Sequence, residues 1–188
     1  MKSVNKIINW VGNIQVFKYP LFIVCGKTSY NIKGPDQRAI LDILKPGDVL
    51  LRRYDSYISN VVITGYYKHA AIYVGDDKII HVIGKGICME DILTFMRCDD
   101  IAVLRCDDND KVNRAIKRAY IQLAKEVEYD FKFDKDCPKK FYCTEFVDFC
   151  YDYPVRSMLS ADSKYILPDD FLDSGDFKTV WDEKGNID

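Results

Sequence analysis

The sequence predicts an α+β fold in which a small antiparallel sheet packs against helices, and three observations predict it. Short β-prone runs bounded by Gly, Pro and Asp recur between residues 46 and 104. Residues 110–127 carry Val112, Ala115, Ile116, Ala119, Leu123 and Val127 at helical spacing. Residues 142–151 then form a second helix-like run, stopped by Pro154. With 188 residues, 48% of them apolar and 30% charged, there is material for one substantial core and little for a second. The expected organisation is an extension over residues 1–34, packed on or flanking a main domain at 35–182, and a flexible tail at 183–188.

In the extension, a short helix is expected around residues 4–11 and a strand around 21–24. Gly34-Pro35 punctuates the chain, and Asp36 is expected to cap a helix over residues 38–44. Lys45-Pro46-Gly47-Asp48 is a turn signal leading into the strand Val49-Leu50-Leu51. Residues 57–64 read as a helix ended by Gly65. Residues 69–74 and 78–83, separated by Gly75-Asp76-Asp77, read as an antiparallel hairpin that pairs Ile72 with about Ile79. A helix turn or two is expected at 89–95 and a strand at 101–104.

Charge excludes one class of function. The net charge of -2 and pI of about 5.7, with no long Lys or Arg run, lack the footprint of a nucleic-acid binder. The seven cysteines are odd in number and none forms a CxxC pair, so they read as free thiols, with Cys88, Cys98 and Cys106 as core fillers. No metal and no cofactor is expected. Asn5, Asn9, Asn13, Gln15 and Lys18 interrupt the apolar N-terminal stretch, so a signal peptide is not expected and a cytoplasmic or otherwise intracellular location is. Peripheral membrane contact through residues 10–22, by Trp10, Phe17, Tyr19 and Phe22, stands as the alternative to a simply packed extension.

His69, His81 and Cys143 are the candidate reactive groups. Cysteine chemistry needs a thiolate, a base within hydrogen-bond reach and a group that orients the base. Cys143 opens a predicted helix, where unpaired N–H groups and aligned dipoles favour an anion and are expected to lower the thiol pKa. Both histidines of the chain fall on the proposed hairpin, near enough to opposition to form a relay. Taken singly, each has a plainer reading: Cys143 as the first residue of an apolar helix face with Val147 and Cys150, the histidines as satisfied core or rim residues. A zinc site of two His and one Cys is the competing chemistry, which no ligand spacing demands.

Three segments carry a family resemblance: PGDVLL at 46–51, HAAIYVGDDKIIHV at 69–82 and FYCTEFVDFCY at 141–151. Their order resembles the circularly permuted NlpC/P60 peptidases of the papain-like superfamily, in particular the YiiX/YebB-like group, over most of residues 45–155. The resemblance implies a permuted papain-like catalytic domain, with Cys143 as nucleophile, His69 as general base and acid, and His81 as the orienting residue. His81 departs from the Glu often found at that place in the permuted group, although His is usual in the ordinary enzymes and in the lecithin retinol acyltransferase-like proteins. Tyr129 matches a tyrosine near the family's cysteine, implying an oxyanion or substrate contact, with an aromatic packed beneath the cleft as the equal alternative. Asp48 and Glu145 are expected to be structural. The function implied is hydrolysis of an amide in a small peptide or acyl substrate through a thioester acyl-enzyme. Lipid or thioester acyl chemistry, and a non-catalytic binding module on the same fold, are the alternatives.

Overall fold

A computed structural model describes residues 15–16, 23–24, 30–54, 65–133, 140–159 and 165–182. The chain divides into two compact units, Met1–Tyr30 and Asn31–Asp188. In the first, β1 (Gln15–Val16) pairs antiparallel with β2 (Ile23–Val24). The helices expected at 4–11 and 57–64, the aromatic residues Trp10, Phe17, Tyr19 and Phe22, and the tail at 183–188 lie outside the described residues.

The second unit opens with α1 (Gly34–Ile43), where Pro35 suits the first turn and the Asp36 carboxylate accepts the Lys33 N–H at 2.8 Å. Asp36 therefore sits inside the helix rather than before it, and the helix starts four residues earlier than the apolar spacing indicates. Next come β3 (Val49–Arg53), β4 (His69–Gly75), β5 (Lys78–Ile83) and β6 (Gly86–Asp91). The stretch expected as helix at 89–95 thus splits. Its first half completes β6, and only α2 (Ile92–Phe95) is helical, capped by the Asp91 carboxylate on the Leu93 N–H at 3.0 Å. Then follow β7 (Asp100–Arg105), α3 (Asn109–Ala124), β8 (Glu128–Tyr129), β9 (Lys140–Phe141), α4 (Cys143–Cys150), a 3-10 turn at Pro168–Phe171 and β10 (Lys178–Trp181).

Six strands form one antiparallel sheet in the order β10-β7-β3-β4-β5-β6. Side chains alternate between its faces. Leu51, Ala70, Ile72, Ile80, Val82 and Leu104 meet Ala115 and Ala119 of α3 and Phe146, Val147 and Cys150 of α4. The opposite face buries Leu50, Ala71, Tyr73, Ile79 and Val103 against Ile40 of α1 and Ile92 and Phe95 of α2. The sheet is thus covered by helices on both sides, which is why its central strands read as near-continuous apolar runs.

The β4–β5 hairpin turns through Asp76 and Asp77, both at positive φ (51° and 56°), the two-residue turn that suits strand twist. Gly75 pairs with Lys78, but Tyr73 pairs with Ile79 and Ile72 with Ile80, so Val74 is an extra residue, a β-bulge. Its effect is decisive. Without the bulge Ile72 would oppose His81 and put it on the α3/α4 face; with it, His81 lies on the same face as His69.

The turn before β3 is built around a buried ion pair. Asp48 is 1% exposed, accepts the Lys45 N–H at 2.8 Å, and takes a two-pronged contact from Arg105 at 2.8 and 2.6 Å. Arg105 also donates to the Ile43 carbonyl at 2.7 Å, joining α1, β3 and β7. Gly47, at φ 94°, lies where an added Cβ would meet Val112 Cγ1 at 2.4 Å, so nothing larger fits beneath α3.

Arg105→Ala would leave a buried carboxylate unpaired and is expected to cost about 3 kcal/mol. The check is the urea midpoint at neutral pH, at unchanged m-value.

Candidate active site

Cys143 opens α4 because Tyr142 is its extended N-cap and Glu145, in the first turn, is an acidic residue at the positive end of the helix. The residues flanking the cysteine are tied to one loop. Tyr142 OH accepts the Ile166 N–H at 3.0 Å, and Thr144 Oγ1 donates to the Ile166 carbonyl at 2.7 Å. Glu145 and Asp148 point into the protein and are structural. Glu145 pairs with Arg156 at 3.1 Å, and Asp148 accepts the Val155 N–H at 2.8 Å. Burial pushes the Glu145 carboxyl up to about 7 and that of Asp148 up to about 6.

His69 is the first residue of β4, and its Nε2 lies 3.0 Å from Nδ1 of His81 on β5. Phe95 of α2 packs on both rings, with centroids 5.9 and 5.8 Å away. Arg52 of β3, directly paired with His69 across the sheet, stacks on the same phenylalanine at 4.2 Å. Burial first, then the Arg52 charge, lowers the His81 pKa to about 3. The same causes in the same order, followed by the neighbouring His81, hold His69 well below the usual histidine value. Both rings are therefore neutral near pH 7, and one of them donates to the other.

Cys143 and His69 line one cavity of about 190 Å³ with Lys68, Tyr129, Phe133, Tyr142, Thr144, Tyr165, Ile166, Leu167 and Pro168. Burial raises the thiol pKa, against the pull of the backbone N–H groups of Ala70, Thr144 and Cys143. The net direction is opposite to that expected from the helix N-terminus alone, because desolvation outweighs the amide dipoles here. Cys143 is partly buried, whereas Cys98, Cys106 and Cys150 are buried. Cys88, on β6, is also partly buried and faces His81 across the β5–β6 pair.

Tyr129 reaches the same cavity from β8, its ring tilted against that of Phe131 with centroids 4.7 Å apart. Burial, and then the nearby Cys143 and Asp130, push its phenol up to about 12. Gly86 allows this approach. At φ 101°, its missing Cβ would come within 2.8 Å of the Val127 carbonyl, which accepts the Ile87 N–H at 2.9 Å. The four residues singled out from sequence are thus drawn together in two steps, His69 with His81 by a ring–ring hydrogen bond, and His69 with Cys143 and Tyr129 by a shared cavity. Sequence reasoning missed Arg52 and Phe95, whose role depends on sheet order and on a short helix folding back over β4 and β5. Among the described residues, no three His, Cys, Asp or Glu side chains gather to hold a metal ion, and no helix is long and apolar enough to cross a membrane.

The sequence profile of the family described as "Permuted papain-like amidase enzyme, YaeF/YiiX, C92 family" matches residues 43–181. Among solved structures, the chain resembles one described as the metalloprotein yiiX from Escherichia coli O157:H7, DUF1105, at a TM-score of 0.54 and 14% identity, covering 74% of this chain and 97% of that one. At that identity the likeness is one of fold: the sheet and helices described above have the permuted NlpC/P60-like arrangement of that group. No curated protein sequence matches the chain.

With both imidazoles neutral and depressed in pKa, their side-chain NMR signals are expected to stay flat between about pH 5.5 and 8, where a free histidine titrates near 6.5. The chain has only two histidines, so an inflection near 6.5 in either would contradict the burial argument.

Proposed function

Because the chain belongs to the permuted papain-like amidases of the YaeF/YiiX, C92 family, we propose that it hydrolyses an amide bond of peptide or cell-wall type, with Cys143 as nucleophile, His69 as general base and acid, and His81 as the orienting residue. The observation that carries this reading is the cavity shared by Cys143 and His69, with Nε2 of His69 lying 3.0 Å from Nδ1 of His81. If His69 Nε2–H donates to His81 Nδ1, then His69 Nδ1 is left as a bare acceptor, the tautomer a base requires.

The resting pair is a neutral thiol and a neutral imidazole rather than an ion pair, since burial raises one pKa and lowers the other. Attack then couples to proton transfer. His69 takes the thiol proton as sulfur bonds to the acyl carbon, and returns it to the leaving amine as the tetrahedral species collapses to a thioester. Water, deprotonated by the same ring, releases the acid. Backbone N–H groups of Ala70, Cys143 and Thr144 beside the sulfur are candidate oxyanion donors, and the Tyr129 phenol, kept protonated by burial, is a further one.

A second reading shares the machinery. Phe133, Tyr142, Tyr165, Ile166, Leu167 and Pro168 give the cavity an apolar wall suited to a bulky acyl group, which an ester or thioester could present as well as an amide. Peptide-amide and acyl-ester probes, each followed by mass spectrometry of the adduct on Cys143, separate the two.

Cys143→Ala is expected to abolish adduct formation, and His69→Ala to slow acylation on the order of 10²- to 10⁴-fold. His81→Ala should cost less than His69→Ala. The pH profile of acylation should be flat from below about 6.5 to above about 8.5, because the base is depressed and the thiol raised. Iodoacetamide should label Cys143 ahead of the buried Cys98, Cys106 and Cys150, because His69 can take the thiol proton; labelling of Cys143 no faster than theirs would leave the non-catalytic reading standing.

A further inference from the structure

The histidine pair has an open end. His81 is 1% exposed, and its Nε2 has no hydrogen-bond partner among the described residues. A buried donor left unpaired is costly, so its surroundings carry information. The groups facing it are Arg52 from β3, His69 from β4, Cys88 and Glu90 from β6, and the Phe95 ring from α2. Of these, one carboxylate is within reach. Glu90 Oε2 lies 3.9 Å from His81 Nε2 and 3.8 Å from Arg52 Nη1.

The sheet register explains the placement. His81 opposes Cys88 and Ile79 opposes Glu90, so Glu90 is the diagonal neighbour of His81 on the same face. β6 is the last strand of the sheet order and the Glu90 side chain is 31% exposed, so it has room to move the last ångström. Arg52 is mostly buried at 12% side-chain exposure, and donates to the Phe95 carbonyl at 3.3 Å.

Resting on the reading that His69 is the base, we propose that Glu90 is a positioning residue that acts through His81, accepting the His81 Nε2–H as His69 becomes protonated. One proton enters the relay, from the Cys143 thiol to His69 Nδ1. His69 Nε2–H then donates more strongly to His81 Nδ1, and His81 Nε2–H closes on the Glu90 carboxylate. The same proton leaves His69 for the leaving group, so nothing is consumed. Glu90 answers a problem that Arg52 creates. Burial, and then the guanidinium beside the pair, hold both rings neutral at rest, and that guanidinium would oppose the imidazolium of the reacting state unless a negative charge sits between them.

The test is Glu90→Gln in the full chain, read by Cys143 acylation with p-nitrophenyl acetate. Losing about one pK unit of imidazolium stabilisation slows the plateau rate about tenfold and moves the acid limb to lower pH, with half-saturation unchanged. In a His81→Ala background the same substitution has no further effect. Wild-type rate and profile in Glu90→Gln, or an equal loss without His81, overturns the proposal. If wild type shows no acylation and no selective alkylation of Cys143, the enzymatic reading falls instead. Imidazole ¹⁵N NMR then decides the relay: a protonated His81 Nε2 whose resonance moves in Glu90→Gln supports it, and an unprotonated or unmoved Nε2 overturns it.

Discussion

The candidate site depends on one extra residue in a hairpin. Side chains on a strand alternate strictly, so whether two histidines twelve positions apart can touch is decided by parity, and parity is set by the Val74 bulge. From that register follow the ring–ring bond, the shared contact with Phe95 and the exposure of both imidazoles to the Arg52 field. The strand-first chain order places the hairpin before the helix that bears Cys143. Position along the chain is thereby separated from position in the site, and the buried Asp48–Arg105 pair fixes where the sheet begins relative to α1.

Two faces of one sheet serve different ends. The α3/α4 face is an apolar core, and the start of α4 reaches the sheet at the end where β4 begins, so the thiol lies near the Ala70 N–H. The α1/α2 face mixes core residues with a row of polar ones, Arg52, His69, His81 and Glu90, taken from four adjacent strands in order. Such a row, roofed by Phe95, is dry enough to depress the imidazoles and charged enough to tune them.

Much of this was legible in the sequence. Individual strands and helices followed from their periods, and the fold came from the family resemblance carried by the three segments at 46–51, 69–82 and 141–151. What escaped had physical causes. The bulge has no sequence mark of its own, since Val74 is as β-prone as its neighbours; separately, the expected partner of Ile72 was about Ile79, one residue short of the Ile80 it pairs with. Met89-Glu90-Asp91 looked helical because its short-range pattern is ambiguous and only pairing with β5 makes it a strand. The thiol pKa was expected to fall because dipoles can be read from position in a helix, whereas desolvation depends on what the rest of the chain lays over the sulfur. Arg52 and Glu90 are unremarkable charges until the sheet order brings them beside the histidines.

The two hydrogen bonds from Tyr142 and Thr144 to Ile166 make the cysteine's neighbours and the cavity wall a single body. A substitution that reshapes the wall at residue 166 therefore also moves the backbone on either side of Cys143. The opposite side is different. Tyr129 and Phe133 reach the cavity from a segment held by the two-residue parallel pairing of β8 with β9 and by backbone hydrogen bonds from Ile87 to Val127 and from Asp130 to Phe141. The cavity thus has two walls of different build, one tied by its own hydrogen bonds to the helix that bears Cys143 and one carried on the aromatic segment after α3.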